Sequence, residues 1–174
     1  GTKREKPRMP KKPGTNPKGE FAFFDVVYED GSQRSNRRVP NELLDGLMEE
    51  VFNQCLDMVP NHLKWRDWMR AFGEALLQAQ AQVPDFGRLI TTTDISDDHF
   101  YRTIERLREK LERLDMPFDE AVKLQSSVQA LTTGWSDFTH APYANKLRTV
   151  FDPDAVALHS LDALIQGWTW ESRH

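Results

Sequence analysis

"FFDVVYEDGSQRSNRRVPNELLDGLMEEVF", residues Phe23 to Phe52, changes its period at Pro40. Upstream the apolar side chains alternate. Phe24, Val26 and Tyr28 fall on one face of an extended strand and Phe21, Phe23 and Val27 on the other, interrupted by Asp25. Glu29-Asp30-Gly31-Ser32 is a hairpin signal, and the returning segment, Gln33 to Val39, is polar and basic, with Arg34, Arg37 and Arg38. Downstream, Asn41 is an N-cap, and Leu44, Leu47, Met48, Val51 and Cys55 form one stripe of a helix over 41–58. A two-stranded hairpin alone is marginal in water, so this one must lean on the helices or on a partner.

The helical period then persists. A second helix over 62–82 carries Trp65, Trp68, Met69, Phe72, Ala75 and Leu76 on one face, and Val83-Pro84 breaks it. A short segment, Phe86 to Ile90, has room for one or two turns. Ser96 caps a helix reaching Asp115, with Phe100, Ile104, Leu107, Leu111 and Leu114 inward. Met116-Pro117 starts another, running to Thr139, with Ala121, Leu124, Val128, Leu131, Trp135 and Phe138 in register. His140 to Thr149 is a polar loop, and Asp152-Pro153 opens a last helix ending near Gly167. The fold class is therefore mainly α: an orthogonal or antiparallel bundle of five to six helices behind an N-terminal β-hairpin. The domains are an arm over 1–20, the hairpin over 21–39 and the helical body over 40–174.

The net charge of −4 hides an asymmetry. Gly1 to Glu20 holds seven Lys or Arg against two Glu, a net of +5, which leaves −9 for the remainder. That arm, with Lys11 and Lys12, has four prolines among its residues and too little apolar surface to offset its chain entropy, so it reads as flexible. The single cysteine excludes an internal disulfide and fits a reducing compartment, and no apolar run is long enough to span a bilayer. A cytoplasmic protein without a membrane segment is the expectation.

Three stretches carry a resemblance to a known family: "VPNELLDGLMEEVF" (39–52), "MPFDEAVKLQSSVQALTTGW" (116–135) and "FDPDAVALHSLDALIQGW" (151–168). In order and spacing they resemble the connecting helix, the penultimate helix and the final helix of the effector-binding and dimerisation domain of TetR-family transcriptional regulators. The family's helix-turn-helix head has no counterpart here, because the arm and hairpin stand in its place. None of the head's DNA-binding residues is carried over.

The resemblance implies an effector pocket inside the body. The matching positions are Trp65, Trp68, Met69 and Phe72 on the second helix, Phe100 and Ile104 on the next long one, and Gln125, Gln129 and Thr133 on the penultimate one. An aromatic wall with a few polar groups suits a small apolar or aromatic ligand. The resemblance also implies a homodimer paired through the last two long helices, with Leu124, Val128, Leu131, Trp135, Leu158, Leu161, Leu164 and Ile165 as candidates. Lys11, Lys12, Arg34, Arg37 and Arg38 are candidates for DNA phosphate contact. The alternative is a protein-binding module whose hairpin edge docks a partner. No phosphate loop, Cys-x-x-Cys pair or His-Glu-x-x-His motif is present, so neither catalytic residues, a metal site nor a cofactor is expected. His159 and Asp162, three apart on a helix, read as surface polarity, and Cys55 reads as a buried structural thiol.

Overall fold

The computed structural model describes the backbone of residues 21–27, 33–83 and 86–171 and the side chains of 43–83, 86–89 and 92–171. The arm over 1–20, with Lys11 and Lys12, and the turn over 28–32 lie outside the described residues. Two strands, β1 (Phe21–Val27) and β2 (Gln33–Pro40), pair antiparallel from Phe21 opposite Pro40 to Val27 opposite Gln33, with a register shift between Phe24 and Val26. Arg34, Arg37 and Arg38 stand opposite Val26, Phe24 and Phe23.

The remainder is helical: α1 (Asn41–Met58), α2 (Trp65–Gln82), α3 (Phe86–Thr92), α4 (Asp97–Leu111), α5 (Phe118–His140), α6 (Ala144–Leu147) and α7 (Pro153–Gly167). Among the described residues there are seven helices rather than five to six, because two short ones form. Phe86 to Thr92 closes as a helix, and part of the expected polar loop His140 to Thr149 folds into the four residues of α6.

α2 is the centre of the packing. Its expected face is buried throughout, with Trp65, Trp68, Met69, Phe72, Ala75 and Leu76 all in the main core. Trp68 stacks on Phe72 at 5.2 Å between ring centroids, and Phe52 of α1 meets Phe72 edge-on at 5.7 Å. Each such aromatic side chain adds a few kcal/mol, about 1.5–3, through the area it removes from water. Around α2 stand Cys55 and Leu56 of α1, Leu124 and Val128 of α5, and Leu161 and Ile165 of α7. A second cluster joins Leu44, Met48 and Val51 of α1 to Phe86 and Leu89 of α3.

Caps place the helix ends. α7 begins as expected, with Pro153 inside its first turn and Asp152 Oδ1 accepting the Asp154 N–H at 3.0 Å. α2 begins at Trp65 rather than His62, because its cap comes from elsewhere. Lys64 at the N-cap position offers no side-chain bond, and the Trp65 N–H instead donates to Asp115 Oδ1 at 2.8 Å, from the α4–α5 connection. α4 ends at Leu111, short of the expected Asp115, which frees Asp115 for that role. Past α7 the chain turns back on the core. Trp170 packs edge-on against Trp65 at 5.3 Å, and Trp168 Nε1–H donates to Glu120 Oε2 in the first turn of α5 at 3.2 Å.

Candidate functional site

α4 departs from its expected orientation, and that departure makes the site. Leu107, Leu111 and Leu114 are buried, but Phe100 is 49% exposed and Ile104 39%, although both belong to the stripe read as inward. The N-terminal half of α4 is tied to α1 instead of closing on α5. Glu49 of α1 receives Arg102 Nε at 3.0 Å and Nη2 at 3.1 Å on its two carboxylate oxygens, and His99 Nδ1 on one of them. Arg106 Nη2 reaches Asp57 Oδ1 at 2.7 Å further along α1. The Arg102 hydrogen bonds hold the Glu49 carboxyl below the usual carboxylate range, His99 adding to the effect.

Between α1, α4 and α5 a pocket of about 260 Å³ remains, with Leu76 of α2 and Phe86 of α3 on its wall. Met48, Val51, Ile95, Phe100, Ile104 and Leu107 supply apolar surface, and Gln125 and Gln129 face it from α5, where Gln125 Nε2–H donates to Gln129 Oε1 at 3.0 Å. Four of the nine effector-site candidates thus meet here: Phe100, Ile104, Gln125 and Gln129. The other five lie elsewhere. Trp68, Met69 and Phe72 are at most 1% exposed and fill the core behind the wall, and Trp65 is buried against Trp170. Thr133 is buried one turn beyond Gln129 and accepts Gln80 Nε2–H at 3.4 Å.

Asp45 and Glu49 also line the pocket and were missed. Their signal was present in the sequence, since Asp45 follows Leu44 and stands three residues before Met48, on the apolar side of α1. A carboxylate there is buried by the helix's own periodicity, and Asp45 is 4% exposed. Its Oδ2 accepts the Ser96 N–H at 3.2 Å, at the start of α4, while its Oδ1 is buried with no hydrogen-bond partner among the described residues.

The pairing candidates divide. Leu124, Val128, Leu161 and Ile165 are 0–2% exposed inside their own chain, so they pack α5 and α7 onto α2 and are not available to a partner. Leu131 and Leu164 are half-buried and pack against the edge of the main core, while Trp135 is half-buried outside that core and Leu158 is 38% exposed, so these four keep some surface on α5 and α7. Leu131 and Trp135 form a shallow apolar hollow with Ala130, Gly134 and Phe138. Trp135 and Leu158 also edge a larger hollow of about 480 Å³ between α2, α5 and α7, whose rim holds the Arg148–Asp154 ion pair at 3.2 Å. Of the DNA candidates, Arg34, Arg37 and Arg38 take their places on the backbone of β2, and Lys11 and Lys12 are outside the described residues.

Asp162 pairs with Arg70 of α2 (Oδ1 to Nε, 2.6 Å), a helix-to-helix tie across α2 and α7. Cys55 is 1% exposed, and its thiol donates to the Ala75 carbonyl at 3.6 Å. No group of three His, Cys, Asp or Glu among the described residues could hold a metal ion, and no described helix is long and apolar enough to cross a membrane.

No family model matches the sequence, and no curated protein matches it either. Solved structures do match in fold. A minocycline complex of a TetR variant from Acinetobacter baumannii AYE superposes with a TM-score of 0.56 at 22% identity, over 73% of this chain and 70% of that one. A possible TetR-family transcriptional regulator from Streptomyces coelicolor A3(2) gives 0.54 at 17% identity, over 73% and 76%. TetR from A. baumannii AYE gives 0.53 at 22%, over 73% and 72%. At these identities the likeness is one of fold, and it joins the seven-helix order to the family that the connecting, penultimate and final helices resemble. The chain has the fold of the TetR-family transcriptional regulators.

Proposed function

We propose that the chain is a dimeric TetR-type regulator body that takes a small apolar or aromatic effector in the α1–α4–α5 pocket and couples its binding to DNA contact at the N-terminal end. The observation that carries this reading is Phe100 and Ile104, partly open to solvent on a concave wall beside Gln125 and Gln129, while Trp68, Met69 and Phe72 of α2 fill the core behind it. Apolar side chains left on a concave wall are stabilised by a ligand that covers them, and two amides supply orientation. A neighbour of the same fold binds minocycline, which supports a small-molecule effector.

Coupling has a direct route in this reading. β2 runs without interruption into α1, and α1 supplies Met48, Glu49 and Val51 to the pocket. An effector that moves α1 therefore moves the strand pair, whose Arg34, Arg37 and Arg38, with Lys11 and Lys12 of the arm, supply phosphate contacts. Pairing uses the outer faces of α5 and α7, through Leu131, Trp135, Leu158 and Leu164.

The test is DNA binding by the full chain at rising salt, with and without residues 1–19 and an added effector, alongside sedimentation of Leu131→Glu. Binding that weakens steeply with salt, needs the arm and responds to effector supports the reading, as does a Leu131→Glu monomer. A second reading has its own observation: in a two-stranded sheet each strand keeps one unpaired edge among the described residues, open to strand addition by a protein partner. Absence of DNA binding at low salt, with retained dimerisation, selects that one.

A further inference from the structure

Among the described residues four buried side-chain oxygens lack a partner, on Asp45, Asn53, Gln80 and Thr93. Asp45 is the charged one of the four, and it lines the effector pocket. We infer that the pocket selects a cationic ligand: an apolar or aromatic molecule bearing a protonated amine that pairs with Asp45. This deepens the effector reading above and rests on it.

The geometry is that of a half-satisfied acid. Asp45 is 4% exposed, and one carboxylate oxygen already serves the Ser96 N–H at 3.2 Å. The other is shielded from water and has no donor among the described residues. A buried carboxylate is costly unless its lone pairs meet donors, and a cation meets the charge as well as the hydrogen-bonding need. The surroundings sharpen that preference. Met48, Val51, Phe86 and Ile95 make the wall apolar, which strengthens an ion pair formed against it. Glu49, the other acid on the wall, is occupied by Arg102 and His99, so it neither competes for the ligand nor lends Asp45 a cation. Phe100 lines the same pocket and adds an aromatic ring to the surroundings of that charge. A neutral ligand of the same shape would leave the Asp45 charge uncompensated.

Titration calorimetry on the full chain with naphthylmethylamine and its neutral counterpart naphthylmethanol, at neutral pH, tests this. The expected result is amine binding at least about tenfold tighter than alcohol binding, the size of one charge-assisted contact. In Asp45→Asn, whose amide oxygen still accepts from Ser96, the two probes should bind alike, at the wild-type affinity for the alcohol. Equal binding of both probes by the wild type overturns the cation assignment and leaves the effector reading standing, as does an amine preference that survives Asp45→Asn. If neither probe binds, the effector reading falls and the cation assignment with it. Ile104→Trp, which enlarges a side chain of the pocket wall and keeps the Asp45 carboxylate, should abolish amine binding, and undiminished binding in that variant places the amine elsewhere and overturns the assignment. The wild-type comparison decides the matter even if Asp45→Asn fails to fold.

Discussion

A Cβ placed on Gly73 would stand 2.6 Å from Leu161 Cδ2 and 3.1 Å from Val128 Cγ1. Here α2 meets α7 and α5 at once, and Leu161 and Val128 are both fully buried, so neither can withdraw into solvent. Gly73→Ala should cost about 1–3 kcal/mol in urea unfolding, through overpacking that outweighs the helix propensity gained. Leu161→Ala alone should cost about 2–5 kcal/mol. The double variant should cost clearly less than the sum, since each change makes room for the other; simple additivity would show that the two sites do not touch.

Gly134 presents the opposite case. Nothing lies within 4 Å of its would-be Cβ, on the outer face of α5. Gly134→Ala should stabilise the isolated fold by about 0.5–1 kcal/mol, read from the urea midpoint at protein concentrations low enough to keep the chain monomeric. A loss of stability there would mean that the face is already covered.

Asp115 closes the start of α2 across 50 residues of chain. Asp115→Ala should cost about 0.5–2 kcal/mol, the range of a lost helix cap. The backbone hydrogen bond from Trp65 holds the Asp115 carboxyl below its ordinary value of 3.8, with Lys64 assisting. A depressed folded value means the contribution is complete above the unfolded value and is lost as pH falls through the folded one. Wild-type stability should therefore fall more steeply below pH of about 4 than that of Asp115→Asn. Parallel acid titrations of the two would contradict this assignment.

Burial pushes the Cys55 thiol up to about 11. At pH 8 on the order of one thiol in a thousand is then thiolate, and the Sγ is shielded by the core as well. An aromatic disulfide reagent should modify the folded chain roughly a hundredfold more slowly than the urea-unfolded chain. Comparable rates would place Cys55 at the surface.

Arg70 and Asp162 are each about 40–47% exposed, so their short contact is screened by water. Arg70→Met should change stability by less than about 1 kcal/mol despite bridging α2 and α7. The comparison with Gly73→Ala ranks what holds these helices together: packing outweighs the ion pair on the same pair of elements.

Periodicity made most of the body legible. Every residue expected on the inner face of α2 is buried, and the Asp-Pro start of α7 is where its cap stands. What escaped it was whatever a distant segment decides. α2 starts at Trp65 because Asp115 reaches back to it, and no local pattern near His62 records that. Four residues of α6 are too few for a period to show. The stripe of α4 promised Phe100 and Ile104 to the core, but Glu49 draws its first half toward α1 through Arg102 and His99, so both stay at the pocket wall. An apolar stripe also says nothing of whose core it joins, which is why Leu124, Val128, Leu161 and Ile165 read as partner-facing and pack within the chain. Of the residues that line the pocket, Phe100, Ile104, Gln125 and Gln129 were named by resemblance, whereas its other aromatic residues, Phe52 and Phe86, were not. Asp45 and Glu49 were not among the residues named for the site, although Asp45 stands among the apolar positions of α1.

The distribution of indoles has an optical consequence. Trp65 and Trp68 lie in the main core, and Trp168 and Trp170 pack against it, so their emission reports only whether the chain is folded. Trp135 stands apart on the outer side of α5, edge-on to Phe138 at 5.4 Å. Its colour and quenching depend on what lies over that helix, water or protein. The spectrum of the chain minus that of Trp135→Phe is therefore a label-free gauge of that face, and a shift to the blue at increasing protein concentration would report protein in place of water over it.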